Sequence, residues 1–142
     1  MKIIIISILI VLIIFTITSC KNNNEKIKRK QESMKIIIND KEYPINLENN
    51  DTTNSMIEML PLEITMDELN GNEKYVYLDK SLPTNSTNPK HINKGDIMLF
   101  GNDCLVIFYK SFDTTYSYTK IGHIDNLPNL GTGSIEIKLI KD

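Results

Sequence analysis

Hydrophobic and polar positions divide the chain into three stretches of different rhythm. Residues 3–18 are almost continuously apolar behind Met1-Lys2. Residues 21–33 have few apolar side chains and no period, the signature of a flexible spacer. From Met34 onward, short apolar or alternating runs are separated by turn residues. The segment "KIIINDKEYPINL" reads as a strand, an Asn39-Asp40 turn and a second strand. Asp51 or Thr53 is placed to cap a helix running to about Leu60, with Met56, Met59 and Leu60 on its inner face and Pro61 beyond its end. Thr65 and Glu68 fit a T-x-x-E capping box for a further helical turn, closed by Asn70-Gly71. "KYVYL" reads as a strand, and residues 79–94 as a long loop of Pro, Asn, Ser and Thr. "GDIMLFGNDCLVIFYKSF" predicts two strands around a tight Gly101-Asn102-Asp103 turn. "YSYTKIGHI" alternates, residues 126–133 form another loop, and "SIEIKLI" is the last strand. Seven or eight short strands with one or two short helices predict a mainly-β, closed or nearly closed barrel.

The opening run is about sixteen residues, short of the twenty or so that a spanning helix needs. Its ending is more telling. Ile17-Thr18-Ser19-Cys20 resembles the lipobox of bacterial lipoproteins, in which a branched residue and two small residues precede a cysteine. That resemblance implies a signal peptide over residues 1–19, cut before Cys20, and a diacylglyceryl group on the Cys20 thiol. Residues 20–33 are then a tether and residues 34–142 a single domain. Two acyl chains give stable membrane attachment where one is marginal. The expected location is the extracytoplasmic side of a membrane in the bacterial cell envelope.

Charge separates the tether from the domain. Residues 20–33 hold five cations against two acids. From Met34 on, ten lysines face sixteen acids, a formal charge of −6, with no arginine. An anionic leaflet attracts the basic tether. The acidic domain has no guanidinium to fork onto phosphate, which argues against nucleic acid as a partner.

Three blocks, "IEMLPLEITMDELNGNEKYVYL", "GDIMLFGNDCLVIFYKSF" and "YSYTKIGHI", occur in an order that resembles the small bacterial cyclophilin-like proteins. The resemblance covers essentially all of residues 34–142 and implies an eight-stranded barrel with a helix plugging one end. It brings no assigned activity. Prolyl isomerisation in cyclophilins relies on an arginine held beside a proline pocket. The lone arginine here, Arg29, lies in the tether. Lysine is a poor substitute where a planar fork is wanted.

Other chemistry is sparse. His91 and His123 are the two histidines, with no spacing that suits a metal, and each is expected at the solvated surface. Cys104 lies in an apolar run and is expected to be a buried, unreactive thiol. No cofactor or metal is expected. Among the aromatics, Tyr75 and Tyr77 share one parity, as do Tyr116 and Tyr118. Together with Phe100 and Phe108 they fit core packing, or the walls of a pocket for a small molecule or peptide. The reading is a non-catalytic binding module. The alternatives are an isomerase-type or other enzyme, and an envelope protein that meets a partner through its acidic face.

Overall fold

The computed structural model describes residues 32–142. The expected signal peptide, Cys20 with its expected lipid, and Arg29 lie outside the described residues. Ten strands and one helix follow in the order β1 (Met34–Ile38), β2 (Lys41–Leu47), α1 (Asp51–Glu58), β3 (Leu62–Leu69), β4 (Glu73–Tyr77), β5 (His91–Ile92), β6 (Asp96–Phe100), β7 (Cys104–Phe108), β8 (Phe112–Asp113), β9 (Thr119–His123) and β10 (Ile135–Lys141). Eight of the strands close an antiparallel barrel in the order β1-β10-β3-β4-β7-β6-β9-β2, and β5 pairs with β8 in a separate small sheet. Closure removes the free edges that would otherwise invite pairing with another chain.

Local chemistry accounts for most of the elements. Asn39 and Asp40 both adopt positive φ, 49° and 62°, the two-residue turn that matches the twist of a hairpin. Helix α1 starts from Asn50, whose side chain accepts from the Thr53 backbone N–H at 2.8 Å. The cap is thus one residue before Asp51, and α1 buries Met56 in the barrel core with Met59 and Leu60 packed against it.

One expected helical turn is instead strand β3. Thr65 pairs with Glu136 of β10 and Glu68 with Lys74 of β4, so neither caps a helix. Leu62, Ile64 and Met66 alternate with Glu63, Thr65 and Asp67, a period of two that outweighs a four-residue capping signal. Asn70-Gly71 serves the following hairpin rather than a helix end, and one short helix remains. Within the long loop, His91 and Ile92 form β5. The run "YSYTKIGHI" is a strand only from Thr119.

The wall of the barrel has two cores. Inward-facing Ile36, Ile38, Met66, Ile97, Leu99, Leu105, Ile107, Ile121, Ile137 and Leu139 fill the interior. On the outside of β6 and β7, Met98, Val106 and Phe108 pack with Ile92 and Tyr118, with Phe112 against them. All five residues of β7 are therefore buried, as a continuous apolar strand requires. Burying such a side chain contributes about 1.5–3 kcal/mol. Strands β5 and β8 and the segment leading into β9 supply the outer cover.

Candidate ligand-binding site

The outer face of β4, β7 and β6 carries a cavity of about 380 Å³. Strand register builds it. Tyr77 lies opposite Cys104, and Cys104 opposite Phe100, so a small thiol sits between two rings. One step along, Tyr75 lies opposite Val106. Neighbouring strands are about 4.8 Å apart, so two strands of large rings flanking one of small side chains leave a trough. Tyr75 and Tyr77 form one wall, edge to face at 6.0 Å. Phe100, Tyr116 and Tyr118 form the other, with Phe100 to Tyr116 at 6.0 Å and Phe100 to Tyr118 at 5.6 Å. Cys104 and Val106 are the floor, and Leu69, Asn70 and Glu73 complete the lining.

Five of the six aromatics expected as pocket candidates line this cavity: Tyr75, Tyr77, Phe100, Tyr116 and Tyr118. Phe108 does not. It is fully buried and supports Tyr118 from behind at a ring separation of 5.5 Å. The cavity opens on the outside of the wall rather than into the barrel. Tyr77 and Tyr116 remain 65% and 63% exposed, and with Leu69 and Phe100 they are the exposed large hydrophobics among the described residues. All four line this one cavity. The large exposed hydrophobics are thus gathered at one place on the barrel wall.

Glu73 is not legible as a site residue from its own type, yet it shares parity with Tyr75 and Tyr77 and lines the same cavity. It is only 9% exposed. Burial, followed by the charge of Glu68, pushes its carboxyl above the usual range. No described side chain donates a hydrogen bond to it, and no lysine or arginine lines the cavity beside it. The Cys104 thiol is pushed up to about 11 by burial and by the charges of Asp103 and Glu73, which keeps it protonated and unreactive. Burial and Glu73 also raise Tyr118.

The barrel interior contains a cation. Lys74 is fully buried, with its ammonium on Glu68, on the Gly131 carbonyl at 3.1 Å and on the Gly133 carbonyl at 2.5 Å. Tyr109 donates its hydroxyl to the other Glu68 oxygen. An ammonium has three protons and all three are committed, so Lys74 fixes the 126–134 loop to β4 and has nothing left for a guest.

His91 is exposed and pairs with Asp113 at 2.6 Å. His123 is not a solvated surface residue. It is half-buried, with Nδ1 2.9 Å from Oδ1 of the buried Asp96, and Nε2 lies 3.7 Å from Asp125. Asp96 Oδ2 also accepts from the Asn93 backbone, so this pair organises the turn into β6. Among the described residues no group of three or more His, Cys, Asp or Glu could hold a metal ion. A larger open depression of about 520 Å³, near Glu63 and Lys138, lacks aromatics, and its lysine is bonded to Glu63.

None of the curated proteins and none of the solved structures matches this chain. A family model described as the Cyclophilin-like family matches residues 36–139, most of the chain and nearly the whole barrel. The closed eight-stranded wall, the one helix among the described residues and that match lead to one conclusion: the chain belongs to the cyclophilin-like family.

Proposed function

We propose that the protein is a lipid-anchored binding module on the extracytoplasmic side of a bacterial membrane. Its cyclophilin-like domain holds a small molecule or short peptide in the aromatic cavity and does not transform it. The observation that carries this reading is the gathering of Leu69, Tyr77, Phe100 and Tyr116, otherwise costly exposed apolar surface, around a single cavity. The lack of a reactive thiol and of a cationic side chain supports a passive role. The cavity's thiol is held protonated, its floor is apolar, and neither arginine nor lysine lines it.

A ligand that binds the folded state raises the melting temperature by mass action. A small-molecule library screened by thermal shift is expected to yield compounds that stabilise the wild type but not the Tyr77→Ala/Phe100→Ala double variant. Equal stabilisation of both would place binding elsewhere. The anchor rests on Ile17-Thr18-Ser19-Cys20. Cys20→Ser is expected to abolish incorporation of labelled palmitate and release the protein from the membrane fraction; retention of label would refute attachment at Cys20.

A further inference from the structure

The lining of the outer cavity is chemically one-sided. It has five aromatic rings, two of them largely exposed, and a single charged side chain, Glu73. The Glu73 carboxyl is 9% exposed and accepts no hydrogen bond from a described side chain. The nearest lysine in sequence, Lys74, points into the barrel and is held by Glu68 and two carbonyls. An anion entering this space meets a carboxylate and electron-rich ring faces with no donor cation. A neutral guest can at best donate a hydrogen bond to the carboxylate and leaves its charge unbalanced.

A cation satisfies both elements of the site, because ring faces and carboxylate attract positive charge together. Hydration selects among cations. A metal ion needs several oxygen ligands, and one carboxylate among rings cannot replace its water shell. A primary ammonium is also strongly hydrated. An alkylated ammonium gives up little water and presents methyl groups that fill apolar space. A cavity of about 380 Å³ admits a whole small molecule of this type. Resting on the reading of the cavity as a binding site, we infer that it is a receptor for a small quaternary or alkylated ammonium ion, whose methyl groups seat between the Tyr75–Tyr77 and Phe100–Tyr116 walls and whose charge faces Glu73.

The test compares choline with 3,3-dimethylbutan-1-ol, which has the same shape and no charge. Both are titrated into the purified full-length chain in a maltoside detergent, which carries no ammonium group, and followed by NMR. Choline is expected to perturb the resonances of the cavity residues and to bind at least tenfold more tightly than the alcohol. Glu73→Gln is expected to erase that preference. Tyr77→Leu, at a largely exposed ring, keeps the fold and is expected to weaken choline at least threefold. Equal binding of choline and the alcohol by the wild type would overturn the ammonium inference while leaving the cavity a binding site. Binding of uncharged ring compounds or a proline-containing peptide there, without binding of choline, would overturn it in the same way. If no probe perturbs the cavity, both the inference and the reading beneath it fall.

Discussion

Glu73 and Lys74 are successive residues of β4, both are buried, and they stand on opposite faces of the barrel wall. Alternation along a strand makes this unavoidable. Lys74 faces Glu68 across β3 and is fully compensated inside the barrel. Glu73 faces the aromatic cavity and has no counter-charge among the residues that line it. One face of the strand thus serves the fold, and the other lines the cavity proposed to hold a ligand.

The interior pair is a stability element. Lys74→Met leaves Glu68 with Tyr109 and the Gly71 backbone N–H but no counter-charge, and strips both loop carbonyls of their donor. Breaking a buried pair from one side costs about 3 kcal/mol. At roughly 4 °C per kcal/mol for a domain of this size, the melting temperature is expected to fall by about 12 °C. Adding Glu68→Leu should recover part of the loss, because no uncompensated carboxylate remains. Calorimetry on the two variants checks both statements.

Glu73 has the opposite effect on stability. Its folded-state carboxyl titrates above the ordinary value of 4.5. The native state therefore holds a proton that the unfolded chain releases, and stability contributed by the neutral form is lost as pH rises through the folded-state value. Glu68 on β3 and Glu63 are shifted down by their lysine partners and pull the other way. Cys104 from β7 and Tyr118 stay protonated around Glu73 across this range. The difference between Glu73→Gln and wild type isolates the one group. The variant is expected to melt higher near pH 7 and to lose that advantage near pH 4. No change in the difference across this range would show that Glu73 is not desolvated.

The thiol on the cavity floor should be inert. With its titration pushed up to about 11 from an ordinary 9.0, Cys104 holds about a hundredth of the usual thiolate at neutral pH. Alkylation of Cys104 by iodoacetamide, followed by peptide mass mapping, is expected to be at least 100-fold slower in the folded chain than in denaturant.

Backbone geometry supplies a control on the fold itself. Gly95 adopts φ +100°, and a Cβ there would sit 2.3 Å from the Ile124 carbonyl oxygen. Gly101, at φ +62°, has open space around it. Gly95→Ala is expected to cost about 3 kcal/mol or more, and Gly101→Ala only about 1–2 kcal/mol. Urea unfolding distinguishes them.

Much of this fold is legible in local pattern. The Asn39-Asp40 turn, the twin apolar strands around Gly101-Asn102-Asp103 and the alternation of β10 are signals that short range suffices to set. Strand β3 imitates a helix start because Thr65 and Glu68 satisfy a capping pattern that only pairing with β4 and β10 overrides. The site is partly visible. Parity places Tyr75 with Tyr77, but whether they face inward depends on which neighbours close the barrel, a long-range fact. Glu73 shares that parity, and the acid in "EKYVY" beside its tyrosines is the signal that could have found it. The small floor at Cys104 and Val106 follows from the register between β4, β7 and β6, which no single segment encodes.

The proposed passive role carries a prediction for proline-containing peptides. Prolyl isomerisation faces a barrier of about 18–20 kcal/mol, and the described domain has no arginine to polarise an amide. Exchange NMR on an X-Pro peptide is expected to give the same cis/trans rate with and without the protein.

The most direct test of the account is to locate the site. Isotope-labelled full-length protein, titrated with ligands found by thermal shift, is expected to show its largest backbone and ring perturbations at Tyr75, Tyr77, Phe100, Tyr116 and Tyr118. Perturbations centred instead on the depression near Glu63 and Lys138, with these five residues unmoved, would contradict it.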